Sequence, residues 1–185
     1  MASILPLDEL NRLNTEIRER FGKNTIQKRD EEDIIDELLD LFLLAYAMGN
    51  SVTNDNLSSD YAPSVDEVIE VVDAEVAGKT WRERVEDYFA NGGTGEDIAR
   101  IADTETHRIA NQAAYETAKK VGATEKTWHC MMLPTSRDTH IYLDGVTAPI
   151  DGEFYSFKGG STQFPGQWGI AEEDVNCLCW LSFSK

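Results

Sequence analysis

Through the first two thirds of the chain, apolar residues recur at three- and four-residue spacing; the last third carries short apolar runs between turn residues. Helices should therefore lead and strands follow. Leu10, Leu13, Ile17 and Phe21 predict an amphipathic helix over residues 7–21. A second helix follows Asp30, with Asp30, Glu31, Glu32 and Asp33 where the macrodipole favours negative charge, and Gly49 is its expected stop. Residues 41–48 of that helix are apolar all round. They belong in a core or under another chain, and a core helix is the simpler account. The polar stretch 50–60 reads as a linker, dividing the chain into an extension over residues 1–60 and a domain over 61–185.

Two capping boxes follow, Ser64 with Glu67 and Thr80 with Glu83. Val65, Val68, Ile69, Val72 and Val76 keep helical period after the first, up to Gly78. Trp81, Val85, Tyr88 and Phe89 form the inward face after the second. Asn91-Gly92-Gly93 breaks that helix, and Thr94 can cap a long one over residues 95–121, whose alanines admit close neighbours. Residues 127–133, 140–143, 146–150, 154–157 and 177–183 then read as strands, with turns at Asp144-Gly145 and Pro165-Gly166. The expected fold class is α+β: N-terminal helices and a long central helix packed against a small antiparallel sheet of four or five strands.

Charge narrows the function classes. The 185 residues hold 34 acids against 17 bases, a formal net charge of −17. Only Lys28-Arg29 and Lys119-Lys120 are basic pairs that matter, so direct, sequence-specific nucleic-acid binding is disfavoured without a basic partner. Three cysteines are too few for a secreted disulfide framework. The first six residues show no secretory signal, and the longest apolar run, 38–48, is about half of a membrane span.

Four blocks in order carry a family resemblance. They are Thr104-Glu105-Thr106-His107-Arg108; Lys126-Thr127-Trp128; Arg137-Asp138-Thr139-His140 with Leu143-Asp144-Gly145; and Phe164-Pro165-Gly166 followed by Asn176-Cys177-Leu178-Cys179. Over roughly residues 65–183 the chain resembles the C-terminal domain of the phage Mu protein F-like minor head proteins. Leu178 stands where that family usually has arginine, and only about sixty residues precede the domain. The resemblance implies a structural virion component acting in head morphogenesis, not an enzyme. It also implies a place inside or beside the portal vertex, assembly in the host cytoplasm, a portal or major capsid protein as partner, and release with the DNA in some cases. Its motif residues here are Glu105, His107, Arg108, Trp128, Arg137, His140, Asp144, Gly145, Pro165, Gly166 and Asn176.

Two chemical readings compete with packing. His140, Cys177 and Cys179 are ligand types that suit zinc, with Asp144, His129 or Cys130 as candidates to complete a site. On an extended strand, residues two apart are separated by ~6.6 Å, whereas two thiolates on one zinc stand ~3.8 Å apart. The chain would have to bend at Leu178. Without a bend, Cys177, Cys179, Leu181 and Phe183 share the inner face of a strand as small and large hydrophobes. No cofactor is expected beyond this zinc candidate.

The second reading makes Arg137, Asp138, His140 and Asp144 an acid-base cluster. It supports the alternative function, a metal-dependent hydrolase or toxin-related domain. Packing predicts instead that Arg137 pairs with a carboxylate of the long helix, such as Glu105, and that Asp144-Gly145 is a turn. Gly92-Gly93-Thr94-Gly95 lacks the Lys-Ser or Lys-Thr of a phosphate loop, and Cys130 lacks an ordering group for nucleophilic work. Trp128, Trp168 and Trp180 read as anchors in core and turns. A third option is a host-side interaction protein borrowed from a prophage.

Overall fold

The computed structural model describes Arg12, Thr15 and residues 31–185 except Thr94. The helix expected over residues 7–21 and the cap expected at Thr94 lie outside the described residues, apart from Arg12 and Thr15, which are helical. The order of elements is α1 (Glu31–Leu57), α2 (Val65–Val72), α3 (Trp81–Ala90), α4 (Gly95–Lys120), β1 (Glu125–His129), α5 (Asp138–Leu143), β2 (Thr147–Pro149), β3 (Phe154–Tyr155), β4 (Ser161–Thr162), α6 (Ala171–Asp174) and β5 (Trp180–Ser184). This is an α+β fold. No helix among the described residues is long and apolar enough to cross a membrane.

Helix α4 is the spine. Ala102, Ala110, Ala113 and Ala118 are fully buried along it, and α1 packs on it more extensively than any other pair of elements. Gly49 does not stop α1, which continues to Leu57 through the residues expected as a linker. A β-carbon at Gly49 would lie 2.2 Å from the Ala110 carbonyl oxygen, so glycine is there to let two helix backbones touch. Leu38, Phe42 and Ala45 of α1 are fully buried in one core with Val72, Trp81, Val85 and Ala102, and Phe42 meets Trp81 edge-on at 5.0 Å. Of residues 41–48, Leu41, Phe42, Ala45 and Tyr46 are core, while Leu44 and Ala47 are exposed. A boundary at residue 60 would separate α1 from helices with which it shares that core.

Both capping boxes form. Ser64 Oγ accepts from the Glu67 N–H at 3.3 Å while Glu67 accepts from the Ser64 N–H at 2.9 Å, and Thr80 with Glu83 repeats the arrangement at 3.2 and 2.8 Å. Helix α2 ends at Val72, short of Val76, which instead bridges to Lys79 around Gly78 at φ +78°. Past α4, Gly122 at φ +82° turns the chain and the Ala123 N–H bonds the Ala118 carbonyl.

The expected single sheet of four or five strands is two smaller ones. β1 lies between β2 and β5, all antiparallel, with Thr127 opposite Thr147 and Trp128 opposite Leu181; β3 and β4 form a separate ribbon. Residues 140–143 are helical: Thr139, His140 and Leu143 are buried on one side of α5, a spacing that a strand would split between faces. The strand expected over 177–183 begins only at Trp180. A second core lies here, built from Tyr115, Trp128, Phe154, Phe164, Leu181 and the three cysteines.

Candidate functional site

The motif residues divide into a structural group on α4 and a polar group at the end of α5. Arg108 is fully buried in α4. Its Nε donates to Glu105 at 2.6 Å, and its two terminal nitrogens reach the Val71 and Val72 carbonyls at 3.1 and 3.2 Å. It therefore satisfies carbonyls left open where α2 ends, with its positive charge at the negative end of the helix dipole. Glu105 also accepts from Arg84 at 2.5 Å. The pair expected between Arg137 and Glu105 does not form, because two arginines on the helical side occupy that carboxylate. Arg137 instead donates to the Val175 carbonyl. Pro165-Gly166 is a close approach: a β-carbon at Gly166 would stand 3.1 Å from the Arg108 Cα. The neighbouring His107 lies buried and faces a groove of about 630 Å³ shared with Asp103, Arg137 and Asn176.

Around α5 the polar group converges on sulfur. Trp128 is fully buried beneath His140, their rings edge-on at 5.7 Å. His140 turns Nδ1 toward both thiols, 3.5 Å from Cys177 Sγ and 3.4 Å from Cys179 Sγ. Its Nε2 lies 3.0 Å from Glu173 Oε2, near enough for a charge contact but off the line of an N–H bond. Glu173 also accepts from Thr139 Oγ1 at 2.8 Å. Glu173 was not singled out by sequence; the signal was the acidic run Glu172-Glu173-Asp174 just ahead of the Asn-Cys motif.

The chain is not an extended strand at the cysteines. Residues 177–179 are outside any strand, Asn176 has φ +54°, and the Cys177 N–H closes back on the Asp174 carbonyl at 3.2 Å. Asn111 of α4 holds the Cys179 carbonyl at 3.0 Å. The two buried thiols interact with each other. A hydrogen bond from Cys179, aided by His140 and opposed by burial, holds the Cys177 thiol well below its usual range, and the same contact with burial pushes Cys179 up.

The acid-base candidates are engaged by other partners. His140 is buried against two thiols and Glu173, and Asp144 Oδ1 accepts from the Cys130 N–H at 2.8 Å. Gly145, at φ +77°, bonds the Trp128 carbonyl and turns the chain from α5 into β2, so the Asp144-Gly145 turn follows a helix where a hairpin was expected. His129 is turned away, stacked on Trp180 and bonded to Ser182 at 2.7 Å, and burial lowers its pKa.

The sequence blocks that meet in this core coincide with a family match over residues 56–182, to phage Mu protein F like protein. The chain belongs to the phage Mu protein F-like family. Two curated relatives align with it. One is the NAD(+)--arginine ADP-ribosyltransferase EFV of Enterococcus faecalis, 39% identical over 83 residues, or 44% of this chain and 17% of the relative. The other is minor head protein GP7 of Bacillus phage SPP1, 34% identical over 85 residues, or 44% of this chain and 28% of the relative. The chain thus spans less than a third of either relative's length. No solved structure matches. In this family member, four of the motif residues, Glu105, Arg108, Trp128 and His140, are buried and engaged with protein partners.

Proposed function

We propose that this family member is a structural phage head protein that acts in head morphogenesis. The observation that carries the reading is the family match across 56–182, together with a relative named as a minor head protein. Burial supports it: the Glu105–Arg108 pair ties α4 to α2 and α3, and buried His140 packs on Trp128 beside Glu173 and two thiols. The proposed place is the portal vertex or the capsid interior, with the portal or major capsid protein as partner. A net charge of −17 suits a protein that sits beside packaged DNA without adhering to it.

Mass spectrometry of purified virions tests this directly. The chain is expected in full heads at a few copies per particle, and comparison with emptied particles shows whether it leaves with the DNA. Its absence from virions and from assembly intermediates would overturn the proposal. A second reading draws on the transferase-named relative, of which this chain matches 17%. It requires transfer of labelled ADP-ribose from NAD to arginine by the purified chain, and we expect none.

A further inference from the structure

The geometry points to a zinc ion bound by His140 Nδ1, Cys177 Sγ and Cys179 Sγ, with the Cys130 thiolate as fourth ligand, acting as a structural staple. Nothing in this inference depends on the head-protein reading. The three donor atoms lie within 4.8 Å of one another, and all three side chains are buried. A tetrahedral zinc with bonds of ~2.3 Å to sulfur and ~2.0 Å to nitrogen puts those ligands ~3.5 Å apart. The two nitrogen-to-sulfur separations, 3.5 and 3.4 Å, already have that value.

The surroundings are those of a closed metal centre. A cavity of about 40 Å³ opens against the triangle, lined by His140, Cys177, Cys179, Cys130 and Arg137. That volume has room for an ion or for water-sized occupants. Cys130 stands outside the triangle but is buried and borders the cavity. The other two candidates named by sequence are spent elsewhere, Asp144 on the Cys130 N–H and His129 on Ser182. Glu173, 3.0 Å from the far nitrogen of His140, occupies the place of the carboxylate that orients a ligating histidine. Arg137 offsets the net negative charge that three thiolates leave on one divalent ion.

Ordinary packing of thiols in a core explains burial. It does not explain two thiols aimed at one imidazole nitrogen at ligand spacing beside a small polar cavity. The ion would tie together segments that start at residues 130, 140 and 177, joining β1, α5 and the approach to β5. Metal binding of this kind is folding energy.

The test uses the full chain expressed with zinc supplied. Elemental analysis is expected to find about one zinc per chain, and a strong chelator is expected to lower the melting temperature. Replacing the zinc with cobalt(II) should give thiolate-to-cobalt charge-transfer bands and the intense visible bands of a tetrahedral site. This readout on the unmutated protein holds even where Cys177→Ser or Cys179→Ser fails to fold. Cys130→Ser is expected to weaken zinc at least tenfold and to reduce the charge-transfer intensity. Metal-free protein that melts identically with and without zinc, and gives no cobalt bands, overturns the site. Unchanged affinity and bands in Cys130→Ser overturn the fourth ligand.

Discussion

At the scale of single residues, the fold accepts one costly cation. Lys126 of β1 is fully buried with its Nζ lacking a hydrogen-bond partner, 4.5 Å from the Tyr115 ring centre and 5.5 Å from that of Phe154. Burial pushes its pKa down to about 8, against the pull of Asp151. Between pH 8 and 10.5 the folded amine is neutral while the unfolded one still binds a proton, so stability climbs with pH through that window and falls as pH drops toward 8. Lys126→Met is expected to raise stability by about 1 to 3 kcal/mol near pH 7 and to flatten this climb. Urea unfolding at pH 7 and pH 10 checks both, and a destabilised variant at pH 7 would contradict the account.

Residues whose partners lie within a few positions were legible in the chain. Ser64 and Thr80 were readable as caps because a cap needs only its own third neighbour. Arg108 and Glu105 were readable as motif members, but their partners Val71, Val72 and Arg84 come from other helices and leave no local trace. The Arg137 pairing failed for the same reason. The cysteines were recognised as candidate ligands, and the objection to them assumed an extended chain. Residues 177–179 lie outside any strand and bring both thiols within 4.8 Å of each other and of the His140 ligand nitrogen, so that assumption does not hold.

Among the elements, Gly49 shows how one residue type supports opposite readings. Taken locally, a glycine after an apolar run ends a helix. Here the interhelical approach decides, with Ala110 O where a β-carbon would go. Gly→Ala in an exposed helix interior is worth up to ~1 kcal/mol of added stability. At this position Gly49→Ala is expected instead to cost about 1 to 3 kcal/mol by forcing α1 away from α4. Thermal unfolding reports the sign, and a stabilised variant would show that the helices do not touch there. The misreading of 140–143 has a parallel cause: four residues are too few to separate a two-residue period from a 3.6-residue one.

For the whole molecule, α1 is the element most at odds with the sequence reading. Its polar end from Asn50 looked like a linker, yet Asn50 Oδ1 accepts from buried Thr117 at 2.8 Å and Asn54 holds the chain at Tyr61. Removing residues 1–60 would uncover Trp81, Val85, Ala110 and Ala113, all fully buried now. The truncated protein is expected to aggregate or to bind a hydrophobic dye strongly, checked by size exclusion and fluorescence. A monomeric remainder with a cooperative melt would restore the division at residue 60.

The position of β1 also bears on the order in which the protein folds. One neighbour, β2, lies about twenty residues onward, while the other, β5, contributes Ser182 to His129 across a separation of 53 residues. The nearer pairing closes a modest loop and can come early; the farther one must wait for a large loss of chain entropy. Until the final strand docks, β1 presents an unpaired edge bearing Trp128, the kind of surface that recruits strands from other chains. Mutations that slow that last docking should therefore lower yield through misassembly even where the finished protein is just as stable.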